Sequence, residues 1–232
     1  MGVGYNPKIV TSGLVLCLDA SNTKSYPGSS TTWFDLSPSK LNFTVNASFI
    51  NNQGLSTGAS ASSATTSLLD TDFHTILFMF KINSNVTYPN GYSGSWDKIF
   101  SFNAGGSDRT PGVWRYPGER RIHWRYDPSN SGVDFDSTAS AGYPAPGIEF
   151  TIDKWYYMGV TKSGATATPH VNGVNFTSQT VSNPKTAGNT AITLFEYYSS
   201  SAIMNCIHVY NRALTTAEVQ QNFNALRGRF GI

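Results

Sequence analysis

Short β-prone runs, each cut off within a few residues by Gly, Pro, Asn or Asp, follow one another along the 232-residue chain. Such punctuation works against long helices, because Gly and Pro inside a helix cost about 1 and 3 kcal/mol. It suits strands joined by tight turns. Residues 13–19 (Gly-Leu-Val-Leu-Cys-Leu-Asp) read as a buried first strand. Further strand-like runs are Thr75–Ile82, Lys98–Phe102, a block from Val113 to Tyr126, Trp155–Thr161 and Thr166–Val171. Pro169 puts the last of these at an edge or a bulge, since it has no N–H to give to a ladder. Asn172-Gly173 then lies between His170-Val171 and Val174-Asn175. It is the strongest hairpin signal in the chain, because both turn positions need positive φ. Turn-rich stretches at 20–35, 83–97 and 127–149 separate the runs. Residues 56–67 (STGASASSATTS) are low in complexity, but the run at Thr75 begins too soon after them for a linker.

One helix is predicted over 215–226. Thr215 and Glu218 form a capping box, and Val219, Phe223 and Leu226 recur on one face. Arg227-Gly228 is the expected stop. The composition agrees with this picture. Ser, Thr, Asn and Gly number 28, 24, 19 and 21, while charged residues are 13% and Glu occurs four times. That excludes a helical bundle, and 13% aromatics exclude disorder. A net charge of +2 is too small for a broad nucleic-acid field. No apolar stretch approaches the roughly 20 residues of a membrane-spanning helix. The start, MGVGYNPKIV, lacks the basic-then-apolar pattern of a secretory signal. Two cysteines, Cys17 and Cys206, are too few for a disulfide scaffold, so synthesis in a cytoplasm is expected.

Several stretches resemble laminin G-like (concanavalin A-like) domains. Gly13–Asp19, Ser25-Tyr-Pro-Gly28 and Thr32-Trp-Phe-Asp-Leu-Ser37 resemble the family's opening. Ser37-Pro-Ser-Lys-Leu-Asn42 departs from its usual Ser-Gly-Asn-Gly-Asn. Asp153–Val160 with Val171-Asn-Gly-Val174 resembles the central pattern, His170 standing where Tyr is usual. Ile207–Leu214 followed by Thr215–Leu226 resembles the closing strand and helix. The ending Asn222–Gly231 is especially similar to laminin G-like proteins in the virions of tailed phages, marine ones among them. The resemblance implies an all-β jelly-roll sandwich of two antiparallel sheets with one short C-terminal helix. It implies a single domain over 1–232, with an arm at 1–12 and a tail at 227–232. It also implies neighbouring first and last strands, which would bring Cys17 and Cys206 together, expected as two reduced thiols.

Catalysis is not expected. Glycoside hydrolases of this fold class place two carboxylates about 5–5.5 Å apart, usually from Glu-x-Asp-x-x-Glu. Glu119, Glu149, Glu196 and Glu218 carry no acidic residue two positions on. Asp70/Asp72 and Asp134/Asp136 are paired carboxylates, but their loop-like surroundings read as solvated turns, so a glycoside hydrolase is the weakest alternative. There is no Gly-x-Ser-x-Gly, and His74, His123, His170 and His208 have no metal-binding spacing. Calcium stays open, with Asp70, Asp72, Asp97 and Asp108 as loop oxygens, although no spacing among them is diagnostic.

Five of the eight Arg fall between 109 and 126, interleaved with Trp114, Tyr116, Trp124 and Tyr126. On a strand, Ile122, Trp124 and Tyr126 share one face and Arg121, His123 and Arg125 the other. The plain expectation is aromatics in the core and Arg in solvent. The functional one is a surface for a glycan or an acidic partner, built from Tyr92, Trp96, Trp114, Arg115, Arg121, Trp124 and Arg125. The sequence therefore points to a non-enzymatic structural protein of a phage virion, as capsid decoration or tail or fibre component. It would be made in the host cytoplasm and meet other virion proteins, copies of itself and a host-surface glycan. The alternative is a freestanding lectin.

Overall fold

The computed structural model describes residues 7–46, 49–50, 53–56, 60–69, 72–83, 97–102, 111–116, 120–126, 131–135, 150–181, 190–195 and 202–232. In chain order the strands are β1 (Leu14–Asp19), β2 (Thr32–Trp33), β3 (Phe43–Asn46), β4 (Phe49–Ile50), β5 (Gly54–Ser56), β6 (Ser60–Thr66), β7 (Phe73–Ile82), β8 (Asp97–Phe102) and β9 (Gly112–Arg115). They continue with β10 (Ile122–Arg125), β11 (Gly132–Phe135), β12 (Trp155–Ser163), β13 (Thr166–Val171), β14 (Val174–Asn175), β15 (Gln179–Thr180), β16 (Thr190–Leu194) and β17 (Ala202–Tyr210), before helix α1 (Thr216–Phe230). Two antiparallel sheets form a jelly-roll-like sandwich. One runs β14-β13-β12-β7-β17-β5-β4, with β1 also on β17 and β15 also on β13; the other runs β11-β10-β9-β8-β16-β6-β3-β2.

The inner faces of the two sheets meet in one aromatic core. Trp33, Phe43, Phe78, Phe80, Phe100, Phe102, Trp124 and Phe135 are all fully buried there. Phe78 of one sheet stacks on Trp124 of the other at 5.9 Å. A second core lies outside the first sheet, where Val219, Phe223 and Leu226 of α1 cover Leu77, Met79, Tyr157, Cys206 and Tyr210. Strands β7 and β17 are thus buried on both faces, which is why they read as nearly unbroken apolar runs rather than alternating ones.

The motif Thr32-Trp-Phe-Asp-Leu-Ser37 is a structural clasp. Trp33 fills the core. Asp35 Oδ1 accepts from the N–H groups of Cys17 and Ser37 at 2.8 Å each, and Oδ2 accepts from Ser37 Oγ at 2.7 Å and Leu41 N at 2.9 Å. One carboxylate so ties a loop to the first strand. The hairpin at Asn172-Gly173 forms as predicted, with φ of 50° and 79°. Pro169 falls in the gap between the two short strands on β13, where no ladder partner needs its missing N–H. Strand β6 occupies the low-complexity stretch.

Several expectations are corrected. Helix α1 does not stop at Gly228 but runs to Phe230, because the left-handed cap is Gly231 (φ 67°), whose N–H donates to Arg227 O. The tail is therefore mostly helix. The capping box holds, and Arg212 pairs bidentately with Glu218. Asp97 begins β8 rather than a loop, and β11 forms inside the turn-rich stretch at 127–149. Cys17 and Cys206 do lie on adjacent paired strands, both free. Cys17 faces His208 and Cys206 faces Asp19, so the thiols are diagonal rather than opposed. Burial pushes the Cys17 thiol up to about 12 and raises that of Cys206 further.

Candidate functional site

The register of β8 to β11 sorts the Arg and aromatic cluster between two faces. Trp124 pairs with Val113 and Val133, and Arg115 pairs with Ile122, so these lie on the inner side. His123 pairs with Trp114 and Asp134, and Arg125 with Gly112 and Gly132, so these lie on the outer side. Of the predicted binding residues, Trp114, Arg121 and Arg125 come together. Trp124 is withdrawn into the core, with no exposed surface for a ligand. Arg115 is likewise fully buried. Tyr92 and Trp96 lie outside the described residues, as do Asp70, Asp108 and Asp136.

The outer-face Arg is not in solvent. Arg125 and Asp134 are both fully buried, with Nη2 to Oδ1 at 2.7 Å. Arg125 Nη1 donates to the carbonyls of Trp124 (2.9 Å) and Val133 (2.8 Å). Gly132 makes this close approach possible, since a Cβ there would come within 2.0 Å of the Trp124 carbonyl oxygen and 2.9 Å of Arg125 Cδ. His123 Nδ1 lies 3.2 Å from Asp134 Oδ1 and 3.0 Å from the Tyr116 hydroxyl. Burial alone would raise the Asp134 carboxyl, but the His123 and Arg125 contacts outweigh it and hold it below the ordinary carboxylate value. Asp134 is therefore a buried counter-ion, not a solvated turn residue. Above this network the guanidinium carbon of the half-buried Arg121 lies 3.2 Å from the centre of the Tyr116 ring. Trp114 packs edge-on against His123 at 5.9 Å. The result is a cationic, aromatic edge whose half-buried members are Tyr116, Arg120 and Arg121. A guanidinium is planar and suits a carboxylate or a pair of sugar hydroxyls.

Two polar groupings had no sequence signal. Under α1, the Tyr157 hydroxyl lies 2.9 Å from His208 Nδ1, and Asn222 Nδ2 donates to the Tyr210 hydroxyl at 2.9 Å. Burial lowers both His170 and His208 to about 4, so both are neutral. At one end of the sandwich, Lys162 is buried beside His74 and Tyr126 and donates to Asp72 O at 3.3 Å. Burial lowers it to about 8. Among the described residues no group of three or more His, Cys, Asp or Glu is placed to hold a metal ion. No helix among them is long and apolar enough to cross a membrane.

No protein-family model matches the sequence, and no curated protein matches it. Solved structures do match in fold. A Trypanosoma rangeli sialidase in complex with sialic acid aligns at TM-score 0.66 with 14% identity, covering 94% of this chain and 33% of that chain. The binding domain of botulinum neurotoxin serotype D aligns at 0.62 with 14% identity, covering 91% and 51%. The binding domain of Paraclostridial Mosquitocidal Protein 1 aligns at 0.61 with 15% identity, covering 92% and 52%. The chain thus spans about a third of the sialidase and about half of the two toxin chains. At these identities the likeness establishes the β-sandwich fold.

Proposed function

We propose that the chain is a non-enzymatic adhesion module of a phage particle, a capsid decoration or a tail or fibre component, that recognises a glycan at the Tyr116–Arg121 edge. The observation that carries this reading is the half-buried Arg121 guanidinium over the Tyr116 ring, whose hydroxyl contacts His123 beside the buried Arg125–Asp134 pair. Rigid support of this kind lowers the ordering cost of binding. Among the described carboxylates, Asp35, Asp134 and Glu218 are each held by several donors, which suits structural roles for these three. The sialidase matched in fold was solved with sialic acid, and the toxin matches are binding domains, which fits a sugar-recognition role. The virion assignment rests on the similarity of Asn222–Gly231 to phage laminin G-like proteins. Other virion proteins and further copies of the chain would then be its partners.

Mass spectrometry of purified particles from a host expressing the gene tests the location: the protein co-purifies at fixed stoichiometry, and its absence from particles contradicts the assignment. The freestanding lectin is the second reading, favoured by the binding-domain neighbours. It predicts the same glycan binding by a protein that stays out of the particle.

A further inference from the structure

The helix-covered face of the first sheet carries two histidines in one row of paired residues. Across the strands the row runs Cys17, His208, Leu77, Gly159, His170 and Asn175. Cys17 and Leu77 belong to the core under α1, whereas Met158 and Val171, one position from Gly159 and His170, belong to the core between the sheets. Side chains alternate along a strand, so both imidazoles stand on the face that α1 covers. Each is only 2% exposed. His170 lies between β12 and β14, two of the strands against which α1 packs. His208 lines a cleft of about 560 Å³ together with Leu226 and Arg229 of α1.

Neither ring nitrogen of His170 has a hydrogen-bond partner among the described residues. A polar group left so under a helix is tolerated only while it is uncharged. The residues paired with it, Gly159 and Asn175, do not titrate, and neither do Val219, Asn222, Phe223 and Leu226 on the buried face of α1. Burial is what lowers His170. His208 uses Nδ1 on the Tyr157 hydroxyl. The titratable groups around it are Cys17 and Asp19 of β1, Cys206 and Tyr210 of β17, Tyr157 of β12 and Arg229 of α1. Burial lowers His208 most; Asp19 and Arg229 then act on it in opposite senses, and they are paired with each other at 2.9 Å. Helix α1 gives no strand to either sheet, so it can leave this face with every ladder intact. Its departure bares both imidazoles to water and takes Arg229 from Asp19, leaving a carboxylate beside His208. Each of these changes favours the imidazolium.

We propose that α1 is an acid-released cover: protonation of His170 and His208 frees it from the first sheet, baring Leu77, Met79 and Tyr157 on the sheet and Val219, Phe223 and Leu226 on the helix, while the sandwich beneath stays folded. Docking holds both histidines at about 4, against 6.5 when free, so the docked state is fully favoured above pH 6.5 and weakens as the pH falls toward 4. Between pH 7 and pH 5 the docking equilibrium falls about twentyfold for each histidine. The other ties of α1 do not change over this range. Asn222 Oδ1 accepts from Val10 N, Gln221 Nε2 donates to Lys8 O, and Glu218, which pairs with Arg212, stands at about 2.

Hydrogen–deuterium exchange of the full chain at pH 7 and pH 5, corrected for the intrinsic pH dependence of exchange, tests the proposal. The amides of α1 lose about twentyfold or more in protection at pH 5 and exchange ahead of those of β10 and β16 in the second sheet, which stay protected. His170→Leu, which fills the site without a titrating nitrogen, makes that loss about twentyfold smaller. The double variant His170→Leu with His208→Gln holds α1 protection nearly constant between the two pH values. A smaller loss in the wild type overturns the proposal, as does equal protection of α1 and the second sheet at pH 5, the mark of a single global opening. A loss in His170→Leu as large as that of the wild type overturns it too. The wild-type comparison decides the matter by itself if a variant does not fold.

Discussion

The outer faces of the two sheets keep polar groups from water in different ways. On the first sheet, α1 covers a neutral network: Tyr157, His208, Tyr210 and Asn222 exchange hydrogen bonds with no full charge among them. On the second, the buried groups are ions, Arg125 and Asp134, with His123 beside them. A neutral network costs little to build and little to lose, since a hydrogen bond nets about 1 kcal/mol. A buried ion pair contributes little net stability yet is costly to break, because the survivor keeps its charge without a partner. The neutral face therefore reads as packing for a helix. The ionic face reads as a brace, holding Tyr116 and Arg121 in one geometry at the surface.

That contrast can be broken by mutation. The largest effect is expected from Asp134→Ala, which strands Arg125 and should destabilise the fold by about 3–5 kcal/mol in chemical denaturation. Tyr157→Phe on the other sheet should cost only about 1 kcal/mol. Equal losses would show that the two networks do not differ in kind. Replacing both ions, Arg125→Met with Asp134→Leu, sharpens the point: stability should return to near the wild-type level while any binding at the Tyr116–Arg121 edge falls.

Acid separates the two faces next. His170 and His208 stand at about 4 when folded and near 6.5 when unfolded, so the unfolded chain binds more protons between these values. Stability is full above pH 6.5 and falls as the pH drops toward 4, by about 3 kcal/mol per histidine. Asp19 and Arg229 face His208, as do Cys17 and Tyr157, and the two charges act on it in opposite senses. Asp134, held below its ordinary 3.8, adds its own loss only below about pH 4. Melting temperatures from pH 7 to 3 should show the first decline, and His170→Gln should flatten it. A flat profile down to pH 4 in the wild type would contradict the neutral burial of both histidines.

Smaller effects mark the helix. Thr215→Ala removes the cap that accepts from Glu218 N and should cost about 1 kcal/mol. Arg212 holds Glu218 down at about 2, yet the pair is about a third exposed, so Arg212→Ala should cost no more than about 1 kcal/mol.

The features legible in the sequence are those set by local rules. The Asn172-Gly173 turn, the Thr215/Glu218 capping box and the inward face of Ile122, Trp124 and Tyr126 each follow from residues within a few positions of one another. What was not legible depends on distant partners. Asp134 looked solvated because its flanks are rich in Gly and Pro, and only the pairing of β11 with β10 brings Arg125 to it. Gly228 looked like a stop because a glycine after an apolar stripe usually is one. It lies in helix instead, a Cβ there would meet open space, and the left-handed turn comes three residues later.

The central claim, that the braced edge of the second sheet binds a glycan, is tested most directly by a glycan array probed with the wild type, Arg121→Ala and Tyr116→Ala at matched folding. The account predicts saturable binding by the wild type that both variants lose, with the melting temperature unchanged in Arg121→Ala; wild-type binding retained in both variants, or none across the array, would contradict it.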